Sequence, residues 1–214
     1  MDYESLLGLL KQRRSIRAFK TDPVEDGKVK KIVECVRWAP SGMNTQPWEI
    51  VVVRDPKLKD SMVKFIDVVL KEIVKNMPPR PLSPLAFASA PVFLLFLGDT
   101  RVRPFMPPMD EVRWSSTFIS SIALGFHNML LAATTLGLGA QWMSVAAHPV
   151  VAKQIKGLLD IPDFLEIYAM MALGYPDAKP IPKDMRETSD MVHYDLCAPT
   201  DFRTEDDLKK FFKR

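Results

Sequence analysis

The sequence predicts one domain of mixed helices and strands, or at most two small ones. Three observations indicate this fold class: the chain has 214 residues, 47% of them are apolar, and two kinds of apolar run alternate along it. Apolar residues recurring every three or four positions are typical of helices, and short continuous apolar runs are typical of buried strands. A chain of this length and composition can form a full hydrophobic core.

Predicted helices are the segments in which apolar residues recur on one face. The third begins at Asp55, a good N-cap, with Pro56 at the first helical position. The fourth is apolar nearly all round in its second half, which indicates burial on every side, and a subunit interface could cover one of those sides. The predicted helices cover residues 3–13, 26–38, 55–73, 110–137, 148–159 and 204–214.

Predicted strands are short apolar runs bounded by turn residues. The second run carries proline and glycine at its ends and no polar residue, which is typical of a central strand covered on both faces. The predicted strands cover residues 50–53, 90–98, 139–145 and 166–173, and loops cover residues 77–84, 101–109 and 180–190.

Several classes of protein are disfavoured by composition. A formal charge of +3 without a basic and aromatic patch argues against nucleic-acid binding. The N-terminus is acidic, unlike a signal peptide, and polar residues interrupt the longest apolar stretch, residues 118–138. Two distant cysteines, Cys35 and Cys197, form no zinc motif. We therefore expect a cytoplasmic protein with no metal site and no membrane span.

Motifs of common catalytic sites are missing from the sequence. It contains no GxGxxG after a strand, no GxxxxGK[ST], no HExxH and no GxSxG. The three histidines have no acidic or metal-binding partner at a telling spacing. If the protein is an enzyme, a cofactor must therefore carry the chemistry.

Residues 13–17 concentrate three arginines and a serine directly after the first predicted helix. Guanidinium groups bind phosphate oxygens in pairs, and a serine hydroxyl adds a donor. The alternative for such a charge run is a solvated basic helix end. The segment is a candidate anion site formed by Arg13, Arg14, Ser15 and Arg17.

Residues 41–46 form a polar loop before the first strand. Its two amides, Asn44 and Gln46, each offer a donor and an acceptor, and Pro47 stiffens the backbone behind them. Such a loop suits a flat heterocycle with alternating N–H and C=O groups, for example a flavin ring. The alternative is that the amides only satisfy backbone groups of the loop.

The loop at residues 101–109 carries apolar side chains where water normally covers the chain. These are Phe105, Met106 and Met109. They could line a ligand pocket or pack on a neighbouring helix, and the sequence leaves both alternatives open.

Four segments taken together resemble the FMN-dependent nitroreductase family: residues 13–19, 39–48, 136–144, and 173–176 with the following Lys183 and Arg186. Their order and spacing match the family from residue 8 to about residue 194. The resemblance implies an α+β fold, a three-layer α/β/α sandwich on a mostly antiparallel sheet. It also implies an intertwined homodimer with two FMN sites at the interface. The FMN-binding domain would cover residues 1–195, and residues 196–214 would pack on it or on the partner subunit.

The resemblance also assigns roles to individual residues. At the FMN phosphate it places Arg13, Arg14, Ser15, Arg186 and, as a helper, Lys183. Arg17 would reach the N1–C2=O edge of the flavin, where a cation stabilises negative charge. Ser41, Asn44 and Gln46 would lie along the ring edge and ribityl chain, and the backbone of Trp142, Met143 and Ser144 would face the ring near N5. The family's variable substrate lid corresponds to Phe105, Met106, Met109, Trp114 and Phe118.

The function that the resemblance implies is electron transfer from NADH or NADPH through flavin N5 to an aromatic acceptor, such as a nitroaromatic or a quinone. A ping-pong mechanism of this kind needs positioning and electrostatics rather than a catalytic side chain. Asn44 and the Arg-Arg-Ser motif favour the reductase-like pattern over the flavin-destroying and deiodinating branches. The alternative is a flavin-binding or storage protein with little turnover.

Overall fold

The computed structural model describes residues 2–75, 83–177, 179–180, 183–198 and 201–212. The chain divides into two compact units, Met1–Pro180 and Ile181–Arg214. The sequence predicted a domain boundary after residue 195. That boundary stays a prediction, and so does the packing of residues 196–214 on the domain or on a partner subunit. Most of the predicted loop at residues 77–84 lies outside the described residues.

A four-stranded sheet forms the centre of the first unit. Its strands are β1 (Trp48–Val53), β2 (Val92–Asp99), β3 (Gly139–Met143) and β4 (Leu165–Gly174). They lie in the order β1-β2-β4-β3, and every neighbouring pair is antiparallel. The predicted antiparallel sheet is therefore confirmed. The third strand is shorter than predicted because a 3₁₀ turn, Ser144–Ala147, begins directly after Met143.

Helices follow the predicted positions closely. In the first unit they are α1 (Tyr3–Gln12), α2 (Asp26–Val36), α3 (Pro56–Val74), α4 (Glu111–Thr135) and α5 (Pro149–Leu158), and the second unit contains α6 (Glu205–Phe212). The side chain of Asp55 accepts the backbone N–H of Leu58, which confirms it as the N-cap of α3. Asp110 caps α4 in the same way through the N–H of Arg113. Both caps satisfy amide groups that a helix cannot satisfy internally.

Two hydrophobic clusters, one on each face of the sheet, give the three-layer sandwich. Successive side chains of a strand point to opposite faces, and β2 supplies both clusters. Val92, Leu94 and Phe96 pack with residues of α2 and α4, including Ile32, Val36 and Phe126. Phe93, Leu95 and Leu97 pack with residues of α3 and α5, including Met62, Ile66, Val151 and Ile155. The prediction of a strand covered on both faces is confirmed.

One side of α4 is not covered within this chain. Leu124, in the second half of the helix, exposes 45% of its surface, and Ile119, in the first half, exposes 51%. The sequence assigned one side of this helix to a subunit interface, and that assignment stays a prediction. Ala123, His127 and Leu131 are partly buried on the same side at four-residue spacing. Together these five residues form the α4 stripe. Periodicity reports which residues are apolar, and it does not report whether the same chain covers them.

Helix α4 is also long and apolar enough to cross a membrane by length and composition alone. Half of its apolar window is buried inside the protein, as in the core helices of soluble proteins that pass the same test. The feature is therefore weak evidence for a membrane span.

In the loop before α4, residues Thr100–Phe105 form a 3₁₀ helix, where the sequence predicted an irregular loop.

Candidate functional site

The basic segment, residues 13–17, lies against the edge strand β3. Arg13 ends α1 in an extended conformation, and the N–H of Ile16 donates to the carbonyl of Ala140 at 3.0 Å. Ser15 forms a parallel β-bridge with Ala140. A Cβ atom on Gly139 would lie only 2.8 Å from Ile16, so the glycine allows this close approach. The segment is thus fixed to the sheet, with Ser15 exposed.

Two buried polar atoms near the basic segment have no hydrogen-bond partner among the described residues. They are Nε2 of His127 on α4 and Oε1 of Gln141, the residue after Ala140 on β3. Burial and the nearby positive charge of Arg13 lower the pKa of His127, so the neutral imidazole is favoured. A buried polar atom without a partner costs about 1–3 kcal/mol. A ligand group that forms a hydrogen bond with either atom would relieve part of that cost.

The amide loop, residues 41–46, has an unusual backbone. Three of its non-glycine residues, Met43, Asn44 and Gln46, have φ values of 52°, 54° and 46°. Side chains with a Cβ atom rarely adopt this left-handed conformation, and such strain tends to occur at functional sites. The amides of Asn44 and Gln46 are exposed, and a weak hydrogen bond of 3.4 Å joins them.

Hydrogen bonds hold the amide loop in place from two sides. The hydroxyl of Ser41 accepts the N–H of Gln46 at 3.0 Å, which closes the loop on itself. Ser121, a buried polar residue of α4, accepts the N–H of Gly42 at 3.0 Å and donates to the carbonyl of Thr117 at 2.7 Å. The buried serine therefore anchors the loop to the long helix.

The end of β3, residues 142–144, presents an aromatic side chain beside the backbone that leads into the following 3₁₀ turn. Trp142 is 42% exposed, and its ring lies 4.9 Å from Phe126 and 5.7 Å from Tyr168. Met143 points into the core, and Ser144 is exposed at the start of the 3₁₀ turn. Because its partners hold the indole ring in place, Trp142 offers a fixed apolar edge next to this backbone.

The amide loop and the basic segment lie at opposite corners of the sheet. The loop leads directly into Trp48 of β1, which is level with Glu166 of β4, while Ala140 is level with Leu173 of β4. Seven residues (173 − 166) separate these levels, or about 23 Å at 3.3 Å per residue. The segment also lies four strand spacings away from β1, about 19 Å in all. Within one chain, the two predicted groups of ligands cannot touch one small molecule.

Lys183 and Arg186 belong to the second unit. Lys183 is exposed, and Arg186 is partly buried and donates from its NH2 group to the carbonyl of Asp190. The Nε atom of Arg186 is buried and has no partner among the described residues. It lies beside a cavity of about 590 Å³ that Phe202 and Phe211 also line. The assignment of both residues to a phosphate stays a prediction.

The five predicted lid residues do not form one exposed group. Trp114 and Phe118 are buried, with 6% and 7% of their surfaces exposed, and their rings stack at 4.9 Å. Met106 and Met109 pack against the same core, and Phe105 alone is largely exposed, at 84%. Four of the five therefore pack inside the protein, and the assignment of these residues to a substrate lid stays a prediction. Phe118 also borders an apolar cavity of about 290 Å³ between α4 and β4.

Comparison with known proteins identifies the family. The model of the nitroreductase family matches residues 10–175, which is most of the chain. The chain belongs to the nitroreductase family. The matched range includes the basic segment, the amide loop and the end of β3, so the resemblance predicted from the sequence is confirmed.

Similar proteins from the family carry oxidoreductase names. A putative NADH dehydrogenase/NAD(P)H nitroreductase from Archaeoglobus fulgidus is 27% identical over 192 residues, which cover 90% of this chain and 95% of the relative. An NADH dehydrogenase from Thermus thermophilus is 33% identical over 178 residues, covering 77% and 83%. A solved structure of iodotyrosine deiodinase with FMN and 3-iodo-L-tyrosine aligns with a TM-score of 0.73 and 26% identity, covering 90% of this chain and all of that one.

Sequence reasoning missed three residues that the structure places at or near the candidate site: Ser121, His127 and Gln141. A serine in a helix gives no local signal of its role, because its partner Gly42 is 79 positions away. His127 and Gln141 were visible in the sequence, but only the structure shows that their polar atoms are buried without partners. A polar residue within an apolar helix or strand was the available signal.

Proposed function

We propose that this nitroreductase-family protein is an FMN-dependent oxidoreductase that transfers electrons from NADH or NADPH to an organic acceptor, such as a nitroaromatic or a quinone. Bound FMN would supply the two-electron chemistry at N5 in a ping-pong sequence. The observation that carries the proposal is the basic segment fixed to β3, close to the exposed residues Trp142 and Ser144 at the end of the same strand. The names of the relatives and the FMN in the deiodinase support it.

The residues present fit FMN at its phosphate end. Arg13, Arg14 and Arg17 carry positive charge, and the exposed hydroxyl of Ser15 adds a donor at the edge of the sheet. Charge-assisted hydrogen bonds of this kind contribute about 1.5–3 kcal/mol each. The partnerless oxygen of Gln141, one residue from the bridge with Ser15, is suited to a ribityl hydroxyl.

The end of β3 would position the flavin ring. We infer that the backbone around Trp142 and Ser144 faces the ring and offers an N–H toward N5, while the packed indole of Trp142 bounds the site. Arg17 would hold the N1–C2=O edge, where its charge favours the reduced, anionic form of a flavin. These residues bind and orient, and none of them acts as an acid or base.

We further propose that the amide loop completes the site of a second copy of this chain. The loop and the basic segment lie at opposite corners of one sheet, so Ser41, Asn44 and Gln46 can reach a flavin held at β3 only across an interface. The α4 stripe, with Ile119 and Leu124 exposed, supplies an apolar surface for such an interface. The proposed assembly is a homodimer with two shared sites.

Complementation between two variants tests the shared site. Arg13→Ala removes a ligand of the basic segment and Asn44→Ala a ligand of the loop, so each variant alone should bind FMN poorly. After unfolding and refolding together, half of the dimers are mixed, and one of their two sites is intact. We expect about one quarter of the wild-type FMN sites to return.

The matched control mixes Asn44→Ala with Gln46→Ala. Both changes lie in the amide loop, so every site of a mixed dimer stays defective and no binding should return. Recovery in this control, or none with Arg13→Ala, would contradict a site shared between copies. A full-length protein that sediments as a monomer with stoichiometric FMN would contradict the homodimer itself.

Anaerobic flavin spectroscopy tests the activity. The FMN-loaded protein should lose its absorbance near 450 nm, roughly the usual flavin band, when NADH or NADPH is added. The absorbance should return when a quinone or nitroaromatic follows. Bound FMN that neither donor bleaches would indicate a flavin-binding or storage protein. A protein that does not bind FMN would contradict the proposed cofactor. Because one structural relative is a deiodinase, 3-iodo-L-tyrosine belongs in the acceptor panel. Its use in preference to quinones would reassign the acceptor class.

A further inference from the structure

An exposed tryptophan stands beside the amide loop without a packing role. Trp38 exposes 78% of its surface, although burying an aromatic ring is normally favourable. Its Nε1–H donates to Oε1 of Glu34 at 3.3 Å, so the indole has a preferred orientation on the surface. A fixed, exposed aromatic face is suited to stacking against a planar ligand.

Arg37 adds a cation to the same surface. Its NH1 group donates to both carboxylate oxygens of Glu34 at 2.8 and 2.9 Å. In the part of the chain that the structure describes, only NH1 of this guanidinium takes part in hydrogen bonds, and the side chain is 67% exposed, so NH2 and Nε can bind a ligand such as a phosphate.

Trp38 and Arg37 line one cavity together with the two amides of the amide loop. The cavity measures about 420 Å³, and its other walls are Ala39, Pro40, Asn44 and Gln46. An aromatic face and a guanidinium therefore lie in the same open cavity as the groups proposed to contact the flavin ring.

We propose that Trp38 and Arg37 bind the adenosine diphosphate half of a nicotinamide dinucleotide donor. The adenine stacks on the indole, and Arg37 contacts the pyrophosphate, while the nicotinamide ring reaches the flavin next to Asn44 and Gln46. This inference rests on the proposed function, because it assigns a binding site to the donor of that reaction. Stacking of a base on an aromatic side chain contributes substantially to binding, because every base offers a flat π face.

A comparison of two donors tests the inference. NADH contains the adenosine diphosphate half, and reduced nicotinamide mononucleotide lacks the adenosine and one phosphate. For Trp38→Ala we expect the ratio of kcat/KM for NADH to that for the truncated donor to fall about tenfold, which corresponds to about 1.4 kcal/mol. Trp38→Phe keeps an aromatic face and should retain most of the ratio. Arg37→Gln should lower it as well.

Val68→Ala is the matched control, because Val68 is an exposed apolar residue on α3, outside the cavity. It should leave the ratio unchanged. An unchanged ratio in Trp38→Ala, or a ratio that falls equally in Val68→Ala, would overturn the subsite. So would a Trp38→Ala protein that sediments as a monomer and loses both donors equally, because Trp38 would then be an interface residue. Failure of the proposed function is distinguishable, since neither donor would then bleach the wild-type flavin.

Discussion

Gly42 gives the sharpest prediction about the amide loop. A Cβ atom at this position would lie 2.3 Å from Cγ2 of Thr117 and 3.4 Å from Cε of Met106. The first distance is more than 1 Å shorter than an ordinary contact of about 3.5–4.0 Å, and Thr117 has a short, branched side chain that cannot easily move away. For Gly42→Ala we therefore expect a loss of about 1–3 kcal/mol in the free energy of unfolding, as in other overpacked sites.

A second substitution separates this clash from a general effect of the extra methyl group. Thr117→Ser removes Cγ2 and keeps the hydroxyl, so the double variant Gly42→Ala/Thr117→Ser should recover most of the lost stability. Gly157→Ala is the control, because open space surrounds that helical glycine. It should stabilise the protein by about 0.5–1 kcal/mol.

Urea unfolding followed by circular dichroism, with FMN titration in parallel, measures both consequences of the clash. The loop must move away from α4, so the hydrogen bond from Gly42 to Ser121 weakens and FMN affinity should fall together with stability. A Gly42→Ala protein as stable as the wild type would refute the reasoning. A double variant no more stable than Gly42→Ala would refute the assignment of the clash to Thr117.

Three further changes test the site and its surroundings. Arg186→Ala should weaken FMN binding by about 1.5–3 kcal/mol and riboflavin binding far less. Equal losses for the two ligands in a fluorescence titration would show that Arg186 does not contact the phosphate. Trp114→Ala should destabilise the protein by about 3–5 kcal/mol in urea, because the ring is buried and stacked on Phe118, and a marginal loss with a new acceptor ranking would restore the lid role. The pKa of His127 is lowered in the folded protein, so stability should fall as the pH drops below about 6.5. Between about pH 7.5 and pH 5.5, the urea midpoint of His127→Gln should fall less than that of the wild type. An equal fall in both proteins would show that the pKa of His127 does not cause the pH dependence.

Local signals in the sequence predicted most of the fold. Asp55 and Asp110 cap helices because a carboxylate can satisfy amide groups of its own first turn, which needs no knowledge of the rest of the chain. The apolar run of β2 predicted a strand covered on both faces for a similar reason. The basic segment and the amide loop were found as short motifs, and the family model covers both.

Features that depend on distant residues could not be predicted in the same way. The four-residue spacing of Trp114 and Phe118 on the predicted helix is consistent with their stacking, but the burial of Trp114 depends on core residues from other elements, such as Phe96 and Met171. The hydrogen bond between Gly42 and Ser121 joins residues 79 positions apart. The left-handed conformations of Met43 and Gln46 run against the preferences of those residue types, so only tertiary contacts can impose them.

The placement of the amide loop and the basic segment at opposite corners of one sheet has a thermodynamic consequence. Under the proposed homodimer, a ligand that touches both groups binds only the associated form, so ligand binding and association are linked equilibria. Dilution of the protein would release the ligand, and saturation with ligand would lower the concentration at which the subunits separate. At 100 times its Kd, such a ligand would favour the assembled state by about 2.7 kcal/mol per site. Flavin content would then report on assembly as well as on loading.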